Sequence, residues 1–171
     1  MATQREIKNR IKSIKNTRKI TKTMEMVSTA KMKKVQQRLY LSQPYEKKVT
    51  EVIGNIIATS GTGLADDLFK EVAEPTKVLL FQITGNRGLC GSFNANIITS
   101  TMNFKHKLEA EGKEVSLYVI GKKAMGFYKF VGETMYNTAL NPEDKISFDI
   151  AAKYSDELKQ LFLKGEFHEI Y

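Results

Sequence analysis

Cys90 is the only thiol in this 171-residue chain. It sits in the stretch ITGNRGLCGSFN, residues 83–94. A thiolate can act as a nucleophile when a base stands beside it. The two histidines, His106 and His168, fall in no motif with it, so a buried structural thiol is expected. The same stretch carries Gly85, Gly88 and Gly91. A glycine-rich turn between a strand and a helix raises the question of a phosphate or dinucleotide. Here the spacing is G-x-x-G-x-x-G, neither G-x-G-x-x-G nor a run ending in Gly-Lys-Ser/Thr. The second strand is followed by Gly121-Lys122-Lys123 rather than by an acidic ribose ligand. The expected role of Gly85, Gly88, Cys90 and Gly91 is therefore a tight structural βα turn, with glycine supplying positive φ and close helix–strand packing. No His, Cys or carboxylate cluster has metal-ligand spacing. No catalytic constellation is evident, and no cofactor is expected.

The elements that hold this turn are readable from apolar runs and breakers. KVLLFQIT (77–84) reads as a buried strand, followed by a helix over about 92–111. VSLYVIG (115–121) reads as a second strand, 122–131 as a short helix and 134–140 as a weaker strand. Residues 146–164 read as a helix ended by Gly165, and FHEIY begins a further strand. Alternating strands and helices predict a parallel or mostly parallel sheet. SGTGLADD (60–67) is the first clear loop. Before it, residues 3–58 contain one Pro (Pro44) and one Gly (Gly54). They predict a helix about 80 Å long at 1.5 Å per residue, kinked but not ended at Pro44.

Charge divides the chain in the same place. Residues 1–60 hold 14 Lys and Arg against 4 acids, and residues 61–171 hold 13 against 15. The excess basicity lies in the helix, so the two parts are physically different. A single cysteine excludes an internal disulfide and suits a reducing compartment. No secretory signal and no window of about 18 consecutive apolar residues is present.

Within the helix the apolar residues change face. Ile7, Ile11, Ile14 and later Met32, Val35 and Leu39 share one heptad seam, as in a coiled coil. Between these two groups the seam positions are Arg18, Thr21, Glu25 and Ser28. The apolar residues of that interval are Ile20, Met24 and Val27, roughly 140° around the helix from the first stripe at about 100° per residue. One packed partner cannot easily bury both. The second stripe is either simply exposed, as scattered apolar side chains often are, or a second contact surface. Lys19, Lys22, Lys31, Lys33 and Lys34 surround it, a charge that suits an acidic partner.

Three stretches in this order carry a resemblance: IKNRIKSIKNTRKITKTMEMVSTAKMKK (7–34) continuing to SQPY (42–45), TGNRGLCGSFN (84–94), and YVIGKKAMGFY (118–128). Together they resemble the gamma subunit of F-type ATP synthases. The resemblance implies a rotor axle, with residues 1–59 as half of an antiparallel coiled coil. Residues 60–171 would then be a Rossmann-like α/β foot with a mostly parallel sheet. It implies a hexamer of alpha and beta subunits around the axle, and an epsilon subunit and membrane c-ring at the foot. It places Lys19, Ile20, Lys22, Met24, Val27 and Lys31 against acidic loops of beta, and Ile7, Ile11, Ile14, Met32, Val35 and Leu39 against the partner helix. ATP chemistry would belong to beta. The family's chain continues beyond this point, through the rest of the sheet and the C-terminal helix, so that partner is not assigned here. The match begins at the first residues, which favours a bacterial protein on the cytoplasmic side of the inner membrane, peripherally bound.

Two other classes fit parts of the sequence. The basic helix could lie on nucleic-acid phosphates, though it has an apolar seam and no aromatic before Tyr40. A small nucleotide-binding α/β enzyme would need the glycine spacing that is missing.

Overall fold

The computed structural model describes residues 3–60, 68, 72–142 and 147–171. The chain forms two compact units, residues 1–64 and 65–171. The loop expected at 60–67 lies almost wholly outside the described residues.

The first unit is one helix, α1 (Gln4–Ser60), of 57 residues. Its start is fixed by a capping box: the Thr3 N–H donates to Glu6 Oε2 at 2.7 Å, and the Glu6 N–H donates to Thr3 Oγ1 at 3.4 Å. Thr17, Thr21 and Thr23 return their hydroxyls to carbonyls four residues back, so Thr21, in the polar interval of the seam, is satisfied within the helix. Pro44 lies inside the helix without ending it. At 1.5 Å per residue the helix is ~85 Å long.

The second unit holds β1 (Lys77–Ile83), α2 (Phe93–Ala110), β2 (Glu114–Ile120), α3 (Lys122–Val131), β3 (Asn137–Ala139), α4 (Phe148–Leu163) and β4 (Glu169–Ile170). The strands form one parallel sheet in the order β3-β2-β1-β4. β1 and β2 pair along their whole lengths, from Lys77↔Glu114 to Ile83↔Ile120. Their near-continuous apolar runs are what a parallel sheet covered on both faces requires. On one face Val78, Leu80, Leu117 and Val119 pack with Ile98 and Leu108 of α2 and with Ala124 and Tyr128 of α3. On the other, Leu79, Tyr118, Ile120 and Phe167 meet Tyr154, Leu158 and Leu161 of α4.

The expected strand over 134–140 is shorter. Only Asn137–Ala139 pair with β2. Tyr136 turns its hydroxyl to Glu166 at 2.9 Å, and Asn137 its amide to Glu157 at 3.0 Å. These two side chains, one just before the strand and one at its first residue, hold the edge to α4 and the loop after it.

Tyr118 reaches through the second layer and donates to Glu157 Oε2 at 3.0 Å. Burial, and then the Glu157 carboxylate beside it, raise its pKa from the ordinary 10.0. A tyrosine whose folded pKa is raised contributes stability below the unfolded value, and that stability is lost as pH rises above it. Stability should therefore fall above pH 10. Tyr118→Phe is expected to cost about 1 kcal/mol at pH 7 for the lost hydrogen bond and to make the alkaline decline shallower. Urea unfolding from pH 7 to 11 measures both, and an equally steep decline in the variant would refute the assignment.

Candidate functional site: the basic helix and the glycine turn

Two places carry the residues singled out in the sequence. They lie in different units, and each is described by itself.

On α1 every described residue whose burial is defined is exposed, apart from half-covered Gln43. Ile7, Ile11, Ile14, Met32, Val35 and Leu39 line one side, all exposed. Ile20, Met24 and Val27 are between 45% and 61% exposed on another. Lys19, Lys22 and Lys31 flank that second stripe. Lys22 pairs with Glu25 at 3.2 Å, both mostly exposed, a pair worth little to stability in water. The helix thus displays two apolar stripes and a dense cationic surface.

The glycine turn closes on itself. The Gly85 N–H donates to Asn94 Oδ1 at 2.9 Å, and Asn94 Nδ2 donates to the Arg87 carbonyl at 3.3 Å and to Cys90 Sγ at 3.0 Å. Asn94 is buried at the start of α2. A phosphate-binding turn directs its backbone N–H groups at the ligand; here Asn94 occupies the one at Gly85. Gly91 has φ +58°, and open space surrounds the place a Cβ would take, so conformation rather than crowding favours glycine there. Gly85 and Gly88 have no positive φ. Leu89 does, at φ 60°, and is 93% exposed, which places mild strain at the tip of the turn.

Cys90 corrects an expectation. It is exposed, not buried. Its sulfur still accepts a hydrogen bond from Asn94 Nδ2, and what is buried there is Asn94. The thiol should react with a disulfide reagent in the native chain without denaturant. Cys90→Ala should cost about 1 kcal/mol in urea unfolding, for the lost hydrogen bond from Asn94. A thiol that labels only after unfolding would overturn this placement.

The turn is tied to its neighbours by residues that the sequence did not single out. Asn86 Oδ1 accepts the Lys122 N–H at 3.1 Å and the Asn141 N–H at 3.2 Å, while its Nδ2 donates to the Asn141 carbonyl at 2.6 Å. Asn141 Nδ2 donates to the Thr84 carbonyl at 2.9 Å. Thr84 Oγ1 donates to the Ile120 carbonyl at 3.1 Å and accepts the Ala124 N–H at 3.3 Å. These bonds join the C-terminal ends of the three strands β1, β2 and β3 to the start of α3. No spacing rule marks scattered asparagines of this kind. Among the described residues, no group of three or more His, Cys, Asp or Glu could hold a metal ion. No helix among them is long and apolar enough to cross a membrane.

The turn on the parallel α/β unit is filled by its own Asn94, and the long basic helix displays two exposed apolar stripes. The chain belongs to the ATP synthase family, whose sequence profile matches residues 3–171. The relatives it matches are gamma chains. That of Gemmatimonas aurantiaca is 40% identical over 173 residues, covering 100% of this chain and 59% of that one. That of Leptospira biflexa is 37% identical over 164 residues, covering 96% and 55%. The chain therefore spans somewhat over half the length of these curated relatives. Among solved structures, the central stalk and c-ring of the Tetrahymena thermophila mitochondrial ATP synthase shares the fold, with TM-score 0.63 and 24% identity over 82% of this chain and 59% of that one.

Proposed function

We propose that this chain is part of the gamma subunit of the central rotor of a proton-translocating F-type ATP synthase. Residues 1–59 form half of the axle and residues 60–171 the foot. The observation that carries this reading is the pair of stripes on α1, both exposed, in a chain whose relatives are gamma chains. Ile7, Ile11, Ile14, Met32, Val35 and Leu39 pack on an antiparallel helix supplied by the rest of a full-length subunit. Ile20, Met24 and Val27, with Lys19, Lys22 and Lys31, face acidic loops of the beta subunits in the alpha–beta hexamer. The foot meets epsilon and the c-ring at the cytoplasmic side of a bacterial inner membrane, where the subunit is peripheral. An asymmetric axle in a ring of catalytic sites biases each site's conformation by making different contacts with each beta subunit. This chain itself performs no ATP chemistry; the reacting groups belong to beta.

The test is co-purification with bacterial alpha, beta and epsilon subunits, at physiological salt and with competitor DNA present. Recovery of the chain with the hexamer, undiminished by DNA, is expected. Loss of the hexamer to DNA, together with a preference among nucleic-acid sequences, would instead favour a nucleic-acid-binding helix.

A further inference from the structure

α3 carries an apolar stripe that the fold does not use. Ala124 and Tyr128 are its buried residues, and they pack on the sheet. Phe127, Phe130 and Val131 are 40%, 89% and 49% exposed. At about 100° per residue they lie roughly 100°, 160° and 60° around the helix from Tyr128, all on the same flank. Phe130 and Val131 stand three and four residues after Phe127, so the three form one stripe. It runs from the side of the helix to its outermost face. Single exposed apolar residues are ordinary. Two phenylalanines and a valine side by side on a 10-residue helix are a patch. α3 joins β2 to β3, the two strands farthest from β4 in the sheet, so the last strand of the chain does not border it.

The charge around the stripe has one sign. Lys122, Lys123 and Lys129 are exposed, and α3 contains no acid. Among the described residues no carboxylate pairs with any of the three. Glu133, just beyond the helix, is turned to Lys105 at 3.1 Å. Lys123 falls within the stripe, at roughly 140° from Tyr128, and Lys122 and Lys129 stand on the opposite flank.

We propose that this face of α3 docks an acidic segment of a protein partner, which sets apolar side chains on Phe127, Phe130 and Val131 and carboxylates on the three lysines. Charge selects the occupant. A second copy of the chain would bring lysine against lysine. A membrane surface is flat and would reach Phe130 alone, because Phe127 and Val131 lie back toward the sheet; a polypeptide can follow the stripe around the helix. Three side chains are far fewer than a stable interface uses, so the contact is weak by itself or one part of a larger one. None of these residues belongs to α1 or to the glycine turn, and the surface is separate from both.

The test titrates the 171-residue chain, labelled with nitrogen-15, with a short peptide of Glu and Leu whose leucines recur at spacings of three and four. Because α1 also offers lysines and apolar side chains, the readout is the set of backbone amide shifts of Phe127 to Gly132, with Leu117 and Val119 reporting an intact sheet. The peptide should shift the α3 amides saturably, and a counterpart with Lys in place of Glu should not. Phe130→Ser should weaken the α3 response by about 10-fold or more, and Lys129→Glu should weaken it too, with the sheet amides unmoved in both. Shifts confined to α1, an equal response to both peptides, or a response that survives Phe130→Ser overturns the proposal. Two other results overturn it in favour of a different occupant: α3 shifts that grow with the concentration of the chain alone, which mean a second copy, and loss of the α3 signals on phosphatidylglycerol vesicles without any response to the acidic peptide, which means a membrane.

Discussion

Replacing Gly121 by Ala should abolish or severely weaken the α/β unit. Gly121 has φ +109°, and a Cβ placed on it would lie 2.2 Å from the Thr84 carbonyl oxygen and 2.5 Å from Thr84 Oγ1. Both atoms belong to a buried residue that bonds Ile120 and Ala124, so neither can swing away as a flexible side chain would. The Gly121 N–H also donates to the Ala139 carbonyl at 2.9 Å, holding β3. An alanine must therefore push β1 away from β2 or break the bonds that join three strands. Left-handed backbone strain and overpacking cost on the order of 1–3 kcal/mol each. Together they make a loss of about 3–5 kcal/mol, a large part of the 5–15 kcal/mol that holds a typical domain. Urea unfolding followed by tyrosine fluorescence should show a much lower midpoint or no cooperative transition. Gly126→Ala is the internal control: nothing lies within 4 Å of its Cβ position. In the middle of α3 that change should be neutral or stabilise by up to about 1 kcal/mol. Equal midpoints for Gly121→Ala and the unaltered chain would mean that the sheet ends are not packed as described.

The contrast between Gly121 and the glycine turn indicates where sequence reading reaches its limit. Gly85, Gly88 and Gly91 attract notice because they recur at equal spacing, yet only Gly91 has positive φ. The glycine with the tightest approach stands alone at the end of β2, and its need arises from Thr84, 37 residues earlier. Periodicity and breakers are local signals, and so they located β1, β2, α2, α3 and α4 to within a few residues. They also gave the long helix, because good helix formers outweigh Pro44 and Gly54. They overextended β3, whose length is set by what β2 and α4 offer it. They could not place Cys90, since the exposure of a residue in a turn depends on which neighbour fills the turn, and here Asn94 does. Gln82 reads as an ordinary interruption of an apolar strand until its burial is known.

Simultaneous replacement of Ile20, Met24 and Val27 by Ser should separate folding from coupling. All three are exposed on α1, so their loss removes no packing that the described structure contains. The α/β unit should unfold at the same urea concentration as before. In an assembled bacterial F-type enzyme carrying the full-length subunit, the change acts on the surface proposed to face beta. Burying a Val, Ile or Met side chain is worth about 1.5–3 kcal/mol each relative to exposure. Loss of three such contacts should weaken association with the hexamer by 100-fold or more, at about 1.4 kcal/mol per tenfold. ATP hydrolysis by the hexamer should persist while proton pumping driven by it falls. A matching triple replacement of Ile7, Ile11 and Ile14 should act differently, because that stripe is assigned to the partner helix and its loss should loosen the axle itself. The lysines give a further distinction. If Lys19, Lys22 and Lys31 meet acidic loops, raising the salt should weaken assembly of the Ser variant more than that of the unaltered subunit, since the variant retains only the screened part of the contact. A Ser variant that assembles and couples normally at all salt concentrations would leave Ile20, Met24 and Val27 as solvent-facing residues and remove the basis for placing beta there.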